Sequence, residues 1–86
     1  MRRVVICENW AVSPERAAAF FRSQPDVTAE GGGFQFGGCR IELVPLETLS
    51  FGKWLMTRTA LRIEGPEAEV KAIYRRFYLQ FLSAGG

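Results

Sequence analysis

The chain has 86 residues, of which 48% are hydrophobic and 23% are charged, and its formal net charge is +2. This length excludes a second independent hydrophobic core, and the balance of apolar and charged residues excludes a disordered chain. We therefore expect one domain spanning residues 1–86. Eleven Lys and Arg residues nearly balance nine Asp and Glu residues. The net charge thus gives no support to a nucleic-acid partner, because such domains usually carry a clear basic excess.

The N-terminal residues favour a strand over a targeting segment. Residues 3–9 form an apolar run bounded by charge, which is typical of a buried strand. The run is too short for the core of a signal peptide or for a membrane span. The sequence therefore predicts a cytoplasmic protein without membrane contact, in which Cys7 and Cys39 are reduced, buried thiols. A Cys7–Cys39 disulfide is the alternative if their strands are neighbours.

A short helix is predicted after the first strand. Ser13 can accept a backbone N–H as the N-cap, and Pro14 suits the first helical position, where no backbone donor is needed. Phe20 and Phe21 belong to an apolar face with helical spacing. Proline disfavours helical geometry in the residue before it, so the helix is expected to end at Gln24.

The middle of the chain predicts strands separated by glycines. A strand is expected to begin at residues 27–30 and to resume at residues 34–36 after three glycines. Gly37-Gly38 then indicates a hairpin, because primed turns require positive φ. The returning strand, residues 39–44, alternates apolar and charged positions, which predicts one buried and one wet face. Pro45 has no backbone donor and ends this strand or places it at an edge.

The rest of the chain predicts a loop, a strand and a helix. Residues 46–54 are expected to form a loop or crossing segment, and Leu55–Glu64 alternates as a strand. Gly65-Pro66-Glu67 predicts the start of the last helix. Apolar residues at helical spacing give this helix a buried stripe, formed by Val70, Ile73, Tyr74, Phe77 and Phe81.

These elements predict an α+β fold in the order β-α-β-β-β-α. We expect a two-layer sandwich with a mostly antiparallel four-stranded sheet and both helices on one face, which buries every apolar stripe at once. A crossover through the first helix makes the first strand parallel to a later one. The opposite sheet face is left open, and its charged side chains are expected to be Arg40, Glu42, Arg58, Arg62 and Glu64.

The residue types needed for common catalytic sites are scarce. The chain has no histidine, which excludes Ser-His-Asp and Cys-His pairs as well as histidine metal ligands. Glu8, Glu42 and Glu64 are expected to approach one another across the sheet, with Arg58 and Arg62 as counter-ions rather than as a catalytic group. The sequence therefore predicts a protein that is not an enzyme and holds no metal or cofactor.

Large exposed side chains are the main candidates for a binding surface. Three rings, Trp10, Phe51 and Trp54, lie in or beside predicted loops, where they either plug the ends of a small core or form an interface. The last helix is apolar beyond its one stripe, which indicates deep burial or a surface shared with another chain. The full set of candidate partner-binding residues is Trp10, Phe51, Trp54, Arg58, Arg62, Arg75, Arg76, Tyr78, Leu79 and Leu82.

Three functional hypotheses follow. The first is a non-catalytic binding module of the regulator, adaptor or inhibitor type, which acts through protein–protein contact, as a homodimer, with a partner protein, or both. The second is a nucleic-acid-binding domain that uses arginines and aromatic side chains of the open sheet face and of the last helix. The third is a small-ligand-binding or minor enzymatic role, supported by carboxylates and tyrosines in a cleft of the sheet.

Overall fold

A computed structural model of the protein describes residues 2–82 and confirms the α+β fold. Residue 1 and residues 83–86, which the predicted domain also includes, lie outside the described range. Two helices pack on a five-stranded antiparallel sheet, and a two-stranded hairpin forms a separate small sheet. The elements in chain order are β1 (Arg3–Trp10), α1 (Pro14–Ser23), β2 (Thr28–Glu30), β3 (Gly33–Phe36), β4 (Cys39–Pro45), β5 (Leu49–Phe51), β6 (Trp54–Met56), β7 (Thr59–Pro66) and α2 (Glu67–Leu82).

The main sheet has one more strand than predicted, and all its neighbouring strands are antiparallel. Its order is β1-β7-β4-β3-β2, so β1 and β2 run in the same direction but lie at opposite edges. The extra strand arises because Gly31 and Gly32 have φ values of 55° and 78°. Two consecutive positive φ angles make a tight turn, which folds residues 28–36 into the β2–β3 hairpin instead of one interrupted strand.

Residues 46–58 form a projecting hairpin that we call the arm. The prediction of a loop at residues 46–54 is wrong, because β5 and β6 pair with each other within this segment. The backbone N–H of Leu46 donates to the carbonyl of Arg58 at 3.1 Å, so the arm continues the β4–β7 ribbon. The strand predicted from Leu55 therefore divides into β6 and β7. With the arm, the molecule measures 48 Å along its longest axis and 21 Å across.

The predicted start of α1 is confirmed by its capping contacts. The Ser13 hydroxyl accepts the backbone N–H of Arg16 at 3.2 Å, and Pro14 is the first helical residue. The helix ends at Ser23, and Gln24 has extended geometry as expected from the proline that follows it. Val12, just before this helix, is buried, and its carbonyl accepts the Thr59 hydroxyl at 2.6 Å. This bond connects the start of α1 to the start of β7.

Aromatic packing joins the two helices to the sheet. The Phe21 ring of α1 stacks on the Phe77 ring of α2 with centroids 5.5 Å apart. It also lies 5.5 Å from the Phe34 ring of β3, so one side chain contacts all three parts of the core. The predicted apolar stripe of α2 is confirmed except at Tyr74, which is only partly buried. The fully enclosed core residues are Val12, Ala17, Phe21, Phe34, Cys39, Ile41, Leu61, Ile63, Val70, Ile73, Phe77 and Phe81.

Two phenylalanines allow a matched test of this core. We expect Phe21→Ala to lower the free energy of unfolding by about 3–5 kcal/mol, since it removes a fully buried ring and leaves a cavity. Phe51→Ala deletes the same ring from the exposed arm and should change stability by less than about 0.5 kcal/mol. Urea unfolding followed by far-UV circular dichroism measures both. Equal losses would contradict the exposed position of the arm.

Candidate partner-binding surface

The arm carries apolar side chains on both of its faces. Residues directly opposite each other in an antiparallel pair lie on the same face. The register pairs Leu49 with Met56 and Phe51 with Trp54, so these four side chains share one face. Leu55 lies on the other face, opposite Ser50. A two-stranded ribbon of this kind has no sheet or helix layer of its own to bury its side chains.

The large apolar side chains of the arm are highly exposed. Trp54 is 79% exposed, Leu55 is 74% exposed and Phe51 is 56% exposed. Isolated exposed apolar side chains are ordinary, but a contiguous group of large ones marks an interaction site. A two-stranded hairpin alone is also only marginally stable in water. Both arguments indicate that the exposed apolar side chains of the arm are suited to contact with another surface.

The candidate residues Phe51 and Trp54 therefore lie together, while the sequence prediction missed Leu55 and Met56. The alternation of the sequence from Leu55 to Glu64 predicts a continuous strand with one buried face for both. The signal that could have separated them is the pair Gly52-Lys53 between apolar residues. Gly52 has φ of 60°, and a glycine at the first central position is the pattern of a type II′ hairpin turn.

Trp10 belongs to the edge of the core and connects it to α2. Its ring meets Phe77 edge-to-face at 5.1 Å and Tyr78 at 5.9 Å. Trp10 pairs with Thr59, where β7 leaves the arm, so Tyr78 lies at the arm end of the sheet. Tyr78 is exposed together with Leu79 and Leu82 in the last turns of α2. These three candidates form a second exposed apolar surface.

A hydrogen-bonded cluster that the sequence did not predict lies beside Trp10. Glu8 Oε1 accepts the Tyr74 hydroxyl at 2.6 Å and the Trp10 indole N–H at 3.2 Å. Burial raises the pKa of Tyr74 to about 12, with the hydrogen bond to Glu8 and the charge of that carboxylate acting in the same direction. Glu8 is on the helix side of the sheet, so the expected approach to Glu42 and Glu64 is wrong for this residue. The cluster attaches α2 to β1.

Arg62 lies on the open sheet face between two carboxylates. Its guanidinium contacts Glu42 at 3.2 Å and Glu64 at 3.0 Å. The hydrogen bond to Glu64 is the main reason that the pKa of Arg62 is raised. The predicted counter-ion role is therefore confirmed for Arg62. Two negative charges around one positive charge leave this part of the face without a basic excess.

The other three candidate arginines lie in different environments. Arg76 binds Asp26 through both guanidinium nitrogens at 2.8 and 2.9 Å, which lowers the pKa of that carboxyl, and it covers the Phe36 ring. Arg58 stands at the base of the arm, where its Nε is buried and finds no hydrogen-bond partner among residues 2–82. Arg75 is exposed on α2. The structure does not bring these side chains into one basic patch.

The two cysteines lie on opposite faces of the sheet and are free thiols. Cys39 is enclosed in the core, and burial raises the pKa of its thiol. The prediction of a buried Cys7 is wrong. Its side chain, in edge strand β1, points to the open face of the sheet, where its neighbour on β7 is Arg62. Within the described range, no three His, Cys, Asp or Glu side chains are close enough together to hold a metal ion.

A shallow groove with a volume of about 490 Å³ lies between α1 and the β2–β3 turn. Its charged lining residues, Arg22 and Glu30, have opposite signs. None of the described lining residues carries a hydroxyl, thiol or imidazole group. The lining consists of Pro14, Ala18, Arg22, Ala29, Glu30, Gly31, Gly32, Gly33, Phe34 and Leu43.

Comparison with known proteins identifies no relative: no family model, no curated protein and no solved structure matches this chain. Neither helix in residues 2–82 combines the length and hydrophobicity needed to cross a membrane.

The Glu8–Tyr74 contact predicts an unusual ionisation. In a Tyr78→Phe variant, Tyr74 is the only remaining tyrosine, and we expect its absorbance at 295 nm to titrate with a midpoint well above 10, because burial and the contact with Glu8 remain. An unfolded tyrosine titrates near 10, so this residue stabilises the folded protein below about pH 10, and its contribution is lost as pH rises from about 10 to 12. Adding Glu8→Gln should lower the midpoint partway towards 10, because burial remains. A midpoint near 10 before that change would contradict the contact.

Proposed function

We propose that this protein is a non-catalytic protein-binding module and that its arm is the element that contacts the partner. The observation that supports this most directly is the exposure of Phe51, Trp54 and Leu55 at the end of a projecting ribbon. Aromatic anchors surrounded by aliphatic side chains carry much of the binding energy in protein interfaces. Ordering this short hairpin against a partner would also supply the packing layer that it lacks.

The chemistry of the arm indicates the type of partner surface. Its charged residues are few, with Glu47 before β5, Lys53 at the tip and Arg58 at the base. An apolar cleft would bury the face of the arm that carries Trp54 and leave Lys53 in water. The partner that we propose is therefore a folded protein with an apolar recess.

The arginines give less support to the nucleic-acid alternative. Arg62 and Arg76 are engaged by carboxylates, and breaking these ion pairs would oppose binding to phosphates. The small-ligand alternative has the groove between α1 and the β2–β3 turn as its location, but among the described lining residues there is no hydroxyl, thiol or imidazole group. Protein contact requires no such rearrangement or added chemistry.

The arm can be tested with one double variant and one control. Trp54→Ser with Leu55→Ser should weaken binding to the partner at least about 30-fold, the loss expected when a hot spot worth 2 kcal/mol is removed. The partner is identified by affinity capture with the wild-type chain and then purified. Leu79→Ser alters an exposed leucine outside the arm and should change affinity less than threefold.

Trp54 also provides a direct signal of contact. In a Trp10→Phe variant, Trp54 is the only tryptophan, and its emission should shift to shorter wavelength when the purified partner is added. The proposal fails if the arm variant binds as tightly as the wild type. It also fails if the chain retains single-stranded nucleic acid, with affinity falling steeply as salt increases, instead of a protein.

A further inference from the structure

The edges of the main sheet differ in how well they are protected from further pairing. β2, at one edge, has three residues, and such short edge strands offer little to pair with. β1, at the other edge, has eight residues that pair with β7 without a bulge, and it contains no proline or lysine. Its two charged residues are Arg3, at its first position, and Glu8, which accepts hydrogen bonds from Tyr74 and Trp10. Natural sheets usually protect such an edge by charge, by a bulge or by a covering segment. β1 is therefore the edge that is open to a further strand.

The alternation of hydrogen bonds along the strand identifies which backbone groups of β1 point away from β7. In an antiparallel ladder, alternate residues of a strand bond to the same neighbour. The N–H of Glu67 bonds to the carbonyl of Arg2, in the same register that pairs β1 with β7. The backbone N–H and carbonyl groups of even-numbered β1 residues thus bond to β7, and those of odd-numbered residues point away from it. The bond between Leu46 and Arg58 gives the same alternation for β7, whose even-numbered residues bond to β4.

The outward groups of β1 belong to Arg3, Val5, Cys7 and Asn9. No hydrogen bond found within residues 2–82 reaches the N–H or carbonyl of these residues on the outer side. An antiparallel copy of the same strand centred on Ile6 would pair Arg3 with Asn9 and Val5 with Cys7, in both directions. Four reciprocal pairs with two bonds each give about eight hydrogen bonds and use every outward group. No like charges are opposed in this register.

The position of α2 is also compatible with antiparallel pairing of β1 with β1 of a second copy. α2 packs over both β7 and β1, and neighbouring strands lie about 4.8 Å apart. A helix centred over the β7–β1 pair would therefore lie about 10 Å, or two strand spacings, from the α2 helix of a second copy. Packed helices in proteins are separated by 8–10 Å. The flank of α2 that faces β1 carries Tyr74 and Tyr78, which contact Glu8 and Trp10.

We propose that β1 pairs with β1 of a second copy, forming a two-fold symmetric dimer with a continuous ten-stranded sheet. A single extended peptide would satisfy the strand edge but leave the flank of α2 uncovered, whereas a second copy satisfies both. The pairing reverses one chain relative to the other, so the two arms project in opposite directions. This dimer gives the proposed function two separate binding arms, but it does not depend on that function.

Proline at an outward position tests this pairing without breaking the β1–β7 ladder. Val5→Pro removes an outward N–H, which edge strands tolerate, whereas proline at Ile6 would remove a bond to β7. Light scattering should give the wild type twice the 9.7 kDa chain mass at micromolar concentration. We expect folded Val5→Pro to have the mass of one chain, and Val5→Thr, which keeps the N–H, to stay dimeric.

The arm variant Trp54→Ser with Leu55→Ser separates this proposal from the proposed function, because it should remain a dimer. A monomeric wild type at all concentrations would overturn the β1 pairing. Loss of the dimer in the arm variant, with retention in Val5→Pro, would show instead that copies associate through the arm.

Cys7 provides a second test that does not need a folded proline variant. Cys39 is buried, so Cys7 is the accessible thiol of the two in the chain. In the proposed register, Cys7 of each copy lies diagonally across the two strands, about 7–8 Å apart. A bismaleimide with a spacer of that length should join two wild-type chains and leave the Cys7→Ser variant unlinked. A dimer that the reagent fails to link would overturn the pairing.

Discussion

The central strand β7 uses the backbone groups on both of its sides, and the other features of the molecule depend on this. Its even-numbered residues bond to β4 and its odd-numbered residues bond to β1. The β4–β7 ribbon continues beyond the sheet as the arm, because β1 ends at Trp10, where β7 begins. The same pairing places β1 at an edge, where no hydrogen bond within residues 2–82 reaches its outer side. Both exposed features, the arm and the β1 edge, are thus consequences of one strand's position.

The helix layer covers only one side of this sheet, and the division of side chains follows from that. Apolar residues at alternate positions of β4 and β7, such as Ile41 and Ile63, are enclosed by α1 and α2. The opposite face carries Arg62 between Glu42 and Glu64, an arrangement in which charges neutralise one another in water. The proposed contacts accordingly use the end and the edge of the sheet, where apolar groups or unpaired backbone groups are exposed, rather than its charged face.

Local signals in the sequence predicted much of the fold because they act over a few residues. Ser13-Pro14 starts α1, and the spacing of Val70, Ile73 and Phe77 sets the buried face of α2. The number of strands was underestimated because glycines have two roles in such a chain. Gly31-Gly32 makes a hairpin turn instead of a break within a strand, and Gly52 makes a turn inside a segment predicted as a loop.

The sequence by itself determined the class of fold, the helix boundaries and the buried stripes, because capping, proline geometry and hydrophobic periodicity are local properties. The tertiary structure decided which strands are neighbours, and therefore that Cys7 is exposed while Cys39 is enclosed. It also decided that Trp10 packs at the edge of the core while Trp54 projects into solvent. These outcomes depend on pairings between residues far apart in the chain, since the paired residues of β1 and β7 are separated by 49 to 63 positions.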